Sequence, residues 1–375
     1  MTRPTAGSVL DARTLNRSYL ARQLLLDRVD MAAADALEHL VGLQAQEPGD
    51  PYVALWSRLR GFDPAGLAAL LERRAAVRMT LMRTTIHFVT ARDALALRPV
   101  LQSVCARVFG SSAFQRNVAG LDLDAVLGAG REIVETAPVT AAELGRALAV
   151  HWPDRDAPSL AHAVRFLLPL VQVPPRGLWG RSGAARLTTL SSWLGSPLAD
   201  DGEADELVLR YLRAFGPATV ADIRTWSGLS GLRAVTERLR PQLRAYRDER
   251  GRELLDVQDG RFVDPDAPAP VRFLPQYDNL FLSHADRGRI TGDASWPQEF
   301  FFYLGIVYVD GWPAAGWKLE RAGGSLARAA TLAIQPVRSL KPAERSAVSA
   351  EGEALLSFLA AGAGATASGI RLGAA

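Results

Sequence analysis

The chain has 375 residues, of which 48% are hydrophobic and 22% charged, with a formal net charge of +3. This length allows two or three domains with their own cores, and the composition is ordinary for a globular protein. No run of about 18 apolar residues is present, which excludes a membrane-spanning helix, and residues 1–8 show no secretory-signal pattern. The single cysteine, Cys105, excludes an internal disulfide and fits the reducing cytoplasm of a bacterium.

Arginine dominates the basic residues, since Lys318 and Lys341 are the only lysines. A GC-rich coding bias is sufficient to explain this excess. Arginine also suits phosphate, because its planar fork can bond two oxygens at once. The small net charge does not decide the matter, since affinity for a polyanion depends on local clustering. The composition is therefore compatible with a nucleic-acid partner without establishing one.

The first hundred residues show three helical stretches followed by two β-type runs. Apolar spacing predicts the helices over residues 15–26, 33–43 and 64–73. The runs 77–81 and 86–90 are predicted to pair as a hairpin. Three helices followed by a hairpin is the order of a winged helix, and we place this unit at residues 10–100.

A repeated helix-start motif, Pro-x-Thr-x-x-acid-apolar, marks two further units at 138–144 and 217–223. The threonine is the expected N-cap, and the acid lies near the positive end of the helix. Around each copy the pattern predicts helix, motif helix, helix and hairpin. The predicted flanking helices are 123–134, 160–168, 206–215 and 232–239, and the predicted strands are 170–173, 185–188, 243–246 and 253–257.

These units, at 10–100, 121–193 and 203–262, predict a mainly α fold with β wings. Three tandem winged helices are expected to form a C-shape around a channel of duplex width. Residues 264–270 are rich in proline and read as a linker. The following region, 271–375, is predicted to be β-barrel-like with a terminal helix. Its predicted parts are strands at 300–309, 316–319 and 332–334, turns at 310–311 and 323–324, and a helix at 342–360.

Standard catalytic constellations are missing from the sequence, and its five histidines are scattered without metal-ligand spacing, so neither a metal nor a cofactor is predicted. The unusual element is 43–50, Leu-Gln-Ala-Gln-Glu-Pro-Gly-Asp. Pro48 disfavours helix at Glu47, so the second helix must end nearby. Gln44 and Gln46 share a side only where the chain is extended. The alternative is two solvent-facing polar residues at the end of a helix.

Several segments resemble the AlkZ/YcaQ family of winged-helix DNA glycosylases. They are 41–48, 83–89, 274–279, 286–287, 309–312 and 317–319. In that family a Gln-apolar-Gln motif marks the AlkZ-like branch and Gln-apolar-Asp the YcaQ-like branch. Gln44-Ala45-Gln46 resembles the former, whose members include self-resistance enzymes that remove N7-alkylguanine lesions and, in some members, crosslinks. The resemblance implies catalytic roles for Gln44 and Gln46, and double-stranded DNA containing alkylated purines as the partner.

The chemistry of such lesions suits two amides. A guanine alkylated at N7 is already cationic, so the base leaves as a neutral molecule without strong acid catalysis. The protein has to hold a water and stabilise the sugar cation, tasks for which Gln44 and Gln46 offer carbonyl oxygens. A glycosylase that also nicks the strand usually attacks through an amine. Lys318 and Lys341 lie far along the chain from the motif, so we expect a monofunctional enzyme that uses water.

Weaker candidates for contacting DNA or the lesion are Arg83, His87, Trp179, Tyr277, Asp278 and Arg287. Arg83 and His87 stand on the first predicted hairpin, where structural roles fit them equally well. Trp179 lies between arginines on the second hairpin, where it either touches DNA or packs between units. Tyr277 and Asp278 follow the linker and are expected to face the site from the far side of the channel.

Two other interpretations remain open from the residues alone. A winged-helix regulator without catalysis usually pairs one DNA-reading unit with a dimerisation helix. This chain has three predicted units and no heptad pattern, so we expect a monomer. The third interpretation is a protein-interaction scaffold, which would not need a basic concave face. Arginines clustered along one channel with Gln44 and Gln46 would favour the enzyme, whereas arginines on all faces would indicate coding bias.

Overall fold

The computed structural model describes residues 4–199, 204–292, 303–321, 329–364 and 366–373. The N-terminal part contains β1 (Val9–Leu10), α1 (Ala12–Arg22), α2 (Ala33–His39), β2 (Leu43–Gln44), α3 (Asp50–Trp56), α4 (Pro64–Glu72), β3 (Ala76–Thr80) and β4 (Ile86–Thr90). The three predicted helices and the hairpin are confirmed, and α3 is an additional helix that the apolar spacing did not indicate.

The second helix ends four residues earlier than predicted. After α2 the chain passes through left-handed backbone at Val41 (φ 55°) and Gly42 (φ 84°). A Cβ on Gly42 would lie 2.4 Å from Cγ1 of Val89 on β4, so only glycine permits this close approach. The turn delivers the chain into β2 rather than letting the helix continue to Leu43.

The middle of the chain repeats the order of helices and hairpin. Its elements are α5 (Ala91–Val100), α6 (Gln102–Gly110), α7 (Ala113–Asn117), α8 (Leu123–Thr136), β5 (Val139–Thr140), α9 (Ala141–Ala149), α10 (Ala157–Leu167), β6 (Leu170–Val173), β7 (Arg186–Thr189), α11 (Leu190–Leu194), α12 (Ala204–Phe215), α13 (Val220–Ser227), α14 (Leu232–Leu239), β8 (Leu243–Asp248) and β9 (Glu253–Val257). Both copies of the repeated motif form capping boxes, through Thr140 with Glu143 and Thr219 with Asp222.

The hairpins do not stand apart from one another. The first two share a six-stranded sheet in the order β2-β4-β3-β6-β7-β5, joined by antiparallel pairing of Arg78 with Gln172 and of Met79 with Val171. The third hairpin takes the N-terminal strand as its neighbour, in the order β1-β8-β9, with β1 parallel to β8. These pairings fix the first unit against both of the others.

The C-terminal region is an open sheet covered by a long helix. Its elements are β10 (Arg272–Leu274), α15 (Asn279–Leu282), α16 (Gly288–Thr291), β11 (Gly305–Val309), β12 (Trp312–Arg321), β13 (Ala329–Pro336), α17 (Pro342–Ala363) and β14 (Thr366–Leu372). The strands follow the order β10-β11-β12-β13-β14. Within the described ranges the two edge strands, β10 and β14, do not pair with each other. No closed barrel is therefore present there. The predicted turn at 310–311 is confirmed, and 300–302 and 323–324 lie outside the described residues.

One hydrophobic core runs through most of the molecule. It extends from Tyr19 on α1 through Val77 and Val89 of the first hairpin to Trp226 on α13 and Tyr308 on β11, all of them buried. Elements from the first unit, the third unit and the C-terminal sheet therefore pack on common side chains. Among the described residues no helix is both long and apolar enough to cross a membrane.

Candidate active site

The glutamine motif lies in an extended segment at the edge of the first sheet. β2 runs antiparallel to β4, with Leu43 opposite Phe88 and Gln44 opposite His87. Leu43 and Ala45 are both buried in the same apolar cluster, so Gln44 and Gln46 point to the other side. The chain has thus left the helix before Gln44, which meets the condition under which the two side chains share a side.

Three backbone contacts hold the motif in place. The Ala45 amide donates to the Ile86 carbonyl (2.7 Å), and the Ala45 carbonyl accepts from Nη2 of Arg78 (2.7 Å). Just before the motif, Nδ2 of Asn279 donates to the Gly42 carbonyl (2.7 Å). Asn279, which follows the predicted pair Tyr277 and Asp278, thus contacts the turn two residues before Gln44. The backbone of the motif is held from two sides.

Gln44 is only 7% exposed, and its side chain is held by Arg83. Nη2 of Arg83 donates to Oε1 of Gln44 (2.7 Å), and Nη1 donates to the carbonyl of Trp226 at the end of α13 (2.9 Å). Burial, followed by the charge of Arg287, lowers the pKa of Arg83 to about 10, so the guanidinium remains charged at neutral pH. The carbonyl oxygen of Gln44, expected to face a water or the sugar, is already engaged by a cation.

Gln46 is exposed, in contrast to Gln44. Its Oε1 lies 3.5 Å from the amide nitrogen of Ile86, at the outer limit of a hydrogen bond. Arg83 lies in the connection between β3 and β4, and Ile86 is the first residue of β4, so the two glutamine side chains contact positions three residues apart. One amide is fixed there, and the other is free to turn toward a bound substrate.

His87 is fully buried opposite Gln44. Its Nδ1 lies 3.0 Å from the carbonyl of Thr85, which requires a proton on Nδ1, and its Nε2 has no partner among the described residues. Burial, then the charge of Arg83, lowers the pKa of His87 to about 3, so the ring is neutral. Contact between His87 and DNA, suggested by the sequence, would require the site to rearrange.

Asp278 is committed to a structural ion pair. Both of its carboxylate oxygens accept from the buried guanidinium of Arg58 (2.7 and 2.9 Å), and Oδ1 also caps α15 by accepting from the amide of Leu280 (2.9 Å). Its neighbour Tyr277 is half-buried in left-handed backbone (φ 63°). Of this predicted pair, Asp278 is buried and only Tyr277 stays partly accessible.

Trp179 and Arg287 occupy different surroundings. Trp179 lies between β6 and β7, where its ring is 4.7 Å from that of Tyr52 on α3 and 4.7 Å from that of Phe358 on α17. This is the packing role that the sequence left open. Arg287 is exposed, stacks over Phe281 at 4.3 Å, and is close enough to Arg83 to lower its pKa. Arg287 thus lies on the same side of the molecule as Gln44.

Two residues of the site were missed by the sequence. Arg78 is fully buried beneath the motif, where it donates to Ala45. Asp50 starts α3 with a buried Oδ2 that has no partner in the described residues, and burial, followed by Glu47 and Asp278, raises its pKa. In the sequence, Arg78 was marked only by its position between apolar strand residues, and Asp50 only as the acid at the end of the segment 43–50. The described residues contain no cluster of three or more His, Cys, Asp or Glu placed to hold a metal ion.

A cavity of about 470 Å³ opens at Pro48 and Gly49, after the motif, and neither Gln44 nor Gln46 lines it. It is bounded by Pro48 and Gly49, by Trp179 and by the apolar side chains of Leu319 and Leu359.

Comparison with known proteins gives two matches of different kinds. A family model described as "DNA glycosylase AlkZ-like" matches residues 37–358. Among solved structures, the Streptomyces sahachiroi DNA glycosylase AlkZ superposes with a TM-score of 0.70 at 19% identity, covering 97% of this chain and 100% of that one. No curated protein matches the chain. At this identity the structural likeness shows a common fold, while the family match covers most of the chain, including the glutamine motif.

Proposed function

Because the chain belongs to the AlkZ-like DNA glycosylase family, it is a DNA glycosylase, and we propose that it hydrolyses the N-glycosidic bond of N7-alkylguanine lesions in duplex DNA. The observation that carries the proposal is the extended Gln44-Ala45-Gln46 segment, whose side-chain oxygens contact Arg83 and the start of β4. Bacterial cytoplasmic DNA is the proposed location of the substrate, and we propose that the protein acts as a monomer.

The reaction needs little from the protein once the base is cationic. The C1′–N9 bond breaks with its electron pair going to N9, which neutralises the ring, and the base leaves without an added proton. A water oxygen then bonds to C1′ and gives its proton to solvent, leaving an abasic site. Gln46, exposed and loosely held, is placed to present its carbonyl oxygen to the water or to the developing sugar cation.

We propose that the adduct is bulky, because the cavity that begins at Pro48, two residues after Gln46, has room for one. Leu319, Leu359 and Trp179 give it apolar walls that fit a flat or hydrophobic substituent better than a methyl group alone. Removal of bulky N7 adducts, and of interstrand crosslinks built on them, would give the host resistance to a DNA-alkylating natural product. We propose self-resistance as the biological role.

The winged-helix interpretation gives DNA a surface next to the motif. The carbonyl of Trp226 accepts from Arg83, and that of Gly228 accepts from Arg107, so the turn between α13 and α14 lies against the site. We propose that three winged helices form the DNA-binding face, with this turn nearest the lesion. Arg224 and Arg233 on α13 and α14 are exposed and form no ion pair with the described part of the chain, which leaves their charge available to phosphate.

Water is the proposed nucleophile because the lysines lie elsewhere. Lys318 is on β12, where its Nζ pairs with Glu320 (3.0 Å), and Lys341 precedes α17. Neither is part of the segment that carries the glutamines, so the enzyme is proposed to be monofunctional.

The test is base excision by glutamine variants. Gln44→Ala and Gln46→Ala should each slow the single-turnover release of N7-methylguanine and of a bulkier N7 adduct by about 10- to 1000-fold, the usual effect of deleting one preorganised polar group. Binding of the same duplex should change little, because neither amide carries charge. If the double alanine variant releases the base at the wild-type rate, the glutamines are structural and the proposed mechanism is wrong.

A further inference from the structure

We infer that Arg83 is a positioning residue that fixes the Gln44 amide as a hydrogen-bond donor toward the bound nucleotide. The inference rests on the proposed function and assigns different roles to the two glutamines. Gln44 supplies N–H hydrogens from a buried amide that Arg83 holds, and Gln46 supplies a carbonyl oxygen from an exposed one.

The orientation of the Gln44 amide follows from the chemistry of its partner. A guanidinium only donates hydrogen bonds, so the atom 2.7 Å from Nη2 of Arg83 must be the carbonyl oxygen. The NH₂ group then points the other way. Within the described residues this nitrogen has no protein acceptor, yet it is not among the buried unpartnered atoms, so it keeps access to solvent. A nearly buried glutamine thus presents a single accessible donor.

Arg83 is held by two hydrogen bonds to the protein, which a residue that only contacts DNA would not need. Its fork bridges Gln44 and the carbonyl of Trp226, and its backbone is left-handed (φ 54°). It forms no ion pair with the described residues, although it is largely buried, so its charge costs stability. An apolar side chain would pack there at lower cost. The planar guanidinium of Arg83 donates to two separate acceptors at once. An apolar residue cannot do this, and the ammonium of lysine lacks the planar fork.

The positive charge of Arg83 also decides what Gln44 can face. A carbonyl polarised by a cation is a poor ligand for a developing sugar cation, whereas the N–H groups of that amide become stronger donors. The departing guanine gains electron density as N9 takes the bonding pair, and its O6 and N3 are acceptors. Gln44 is therefore suited to stabilise the leaving base and Gln46 to face the sugar or the water.

Carboxylate substitutions separate the two roles. Gln44→Glu keeps an acceptor for Arg83 but removes the donor, so excision should fall by about 10- to 1000-fold. Gln46→Glu keeps an oxygen beside the sugar and should lose less activity than Gln44→Glu, so the ratio of the two excision rates is the readout. Equal retention of activity by both glutamate variants would overturn the assignment of a donor role to Gln44.

A double-mutant cycle tests the role of Arg83 itself. Arg83→Met should slow excision at saturating protein, with little change in DNA affinity, and Arg83→Lys should recover part of the rate. In a Gln44→Ala background, Arg83→Met should add almost no further loss, because its effect passes through Gln44. A full additional loss there would show that Arg83 acts on DNA independently, and the inference would fail.

Thermal stability, which does not depend on catalysis, tests this inference separately from the proposed function. Gln44→Glu should raise Tm in the wild-type background, where it pairs with Arg83, and lower Tm in the Arg83→Met background, where its charge is buried alone. A decrease of equal size in both backgrounds would mean that the contact does not form. If the wild type excises no alkylated base, the proposed function fails, while the thermal cycle still decides the contact.

Discussion

At the residue scale, the two fully buried histidines hold their rings neutral. His87 lies opposite Gln44, and His284 lies between Ser283 and the carbonyl of Phe215, with Nδ1 3.0 Å from Ser283 Oγ and Nε2 3.1 Å from that carbonyl. Burial is the largest cause in both, and it lowers each pKa to about 3. Neither ring is thus available as an acid or base near neutral pH, which is consistent with a site whose polar groups are amides.

These histidines make stability depend on pH. In the unfolded chain each ring binds a proton below a pKa of about 6.5, whereas the folded protein resists it until about 3. Their contribution is therefore fully present above pH 6.5 and is lost as the pH falls toward 3. Two protons correspond to a slope of about 2.7 kcal/mol per pH unit in the free energy of unfolding. Urea unfolding at a series of pH values between 7.5 and 4.5 measures this slope.

His87→Gln should halve this slope, and His151→Gln is the matched control because His151 is exposed. If His87→Gln left the slope unchanged, the His87 ring would bind its proton in the folded protein as readily as in the unfolded chain.

Whether the chain unwinds before Gln44 was left open by the residues and is decided by the left-handed turn at Val41 and Gly42. Only a helix end near Pro48 was predictable, through a local steric effect. The partner of Gln44 was not. Arg83 stands 39 positions away, and their contact depends on how β2 registers against β4. For the same reason the burial of His87 was hidden, since a lone polar residue in a strand reads as exposed.

At the scale of elements, the segment between β10 and α15 joins the C-terminal sheet to the motif. Asp278 pairs with the fully buried Arg58 of the first unit, and Asn279 donates to Gly42. The segment therefore ties the C-terminal region to the turn that leads into β2. Its contribution should be visible as stability as well as activity.

Asp278→Ala should destabilise the fold by about 3–5 kcal/mol, because it leaves the buried Arg58 without its counterion. Asp266→Ala is the control, since Asp266 is 89% exposed and pairs with Arg13 at 3.5 Å, a contact of at most about 1 kcal/mol. The midpoints of urea unfolding give both values. Similar losses for the two variants would mean that the Arg58–Asp278 pair carries no special weight.

Helices with local signals were predicted within a few residues, because a capping box or an N-cap acts inside one turn. The motifs at Thr140 and Thr219 are examples. Strand partners could not be predicted in this way. The pairing of β3 with β6 and of β1 with β8 joins segments roughly a hundred or more positions apart and leaves no mark in local spacing. The same limit explains why a barrel was expected where the described strands form an open sheet.

At the scale of the whole molecule, the charge that matters for DNA is local. The net charge is only +3, and many arginines are neutralised by carboxylates, including fully buried Arg58 and Arg22. The arginines left over include some close to the site and some far from it. Arg224 lies on α13, whose Trp226 carbonyl contacts Arg83, and Arg287 is near enough to lower the pKa of Arg83. Arg233 lies on the following helix, α14, and Arg345 on α17; all four are exposed without an ion pair to the described residues.

DNA affinity should fall steeply with salt if the first three arginines contact phosphates. Each neutralised phosphate contributes about 0.9 to the slope of log K against log salt, so three contacts predict about a 40-fold loss between 50 and 200 mM salt. Arg233→Gln should lower the slope by about 0.9, and Arg345→Gln should leave it unchanged. Fluorescence anisotropy on an undamaged duplex measures this without chemistry. If Arg233→Gln left the slope of log K against log salt unchanged and Arg345→Gln lowered it, the DNA would lie on the other side of the molecule, away from the glutamines.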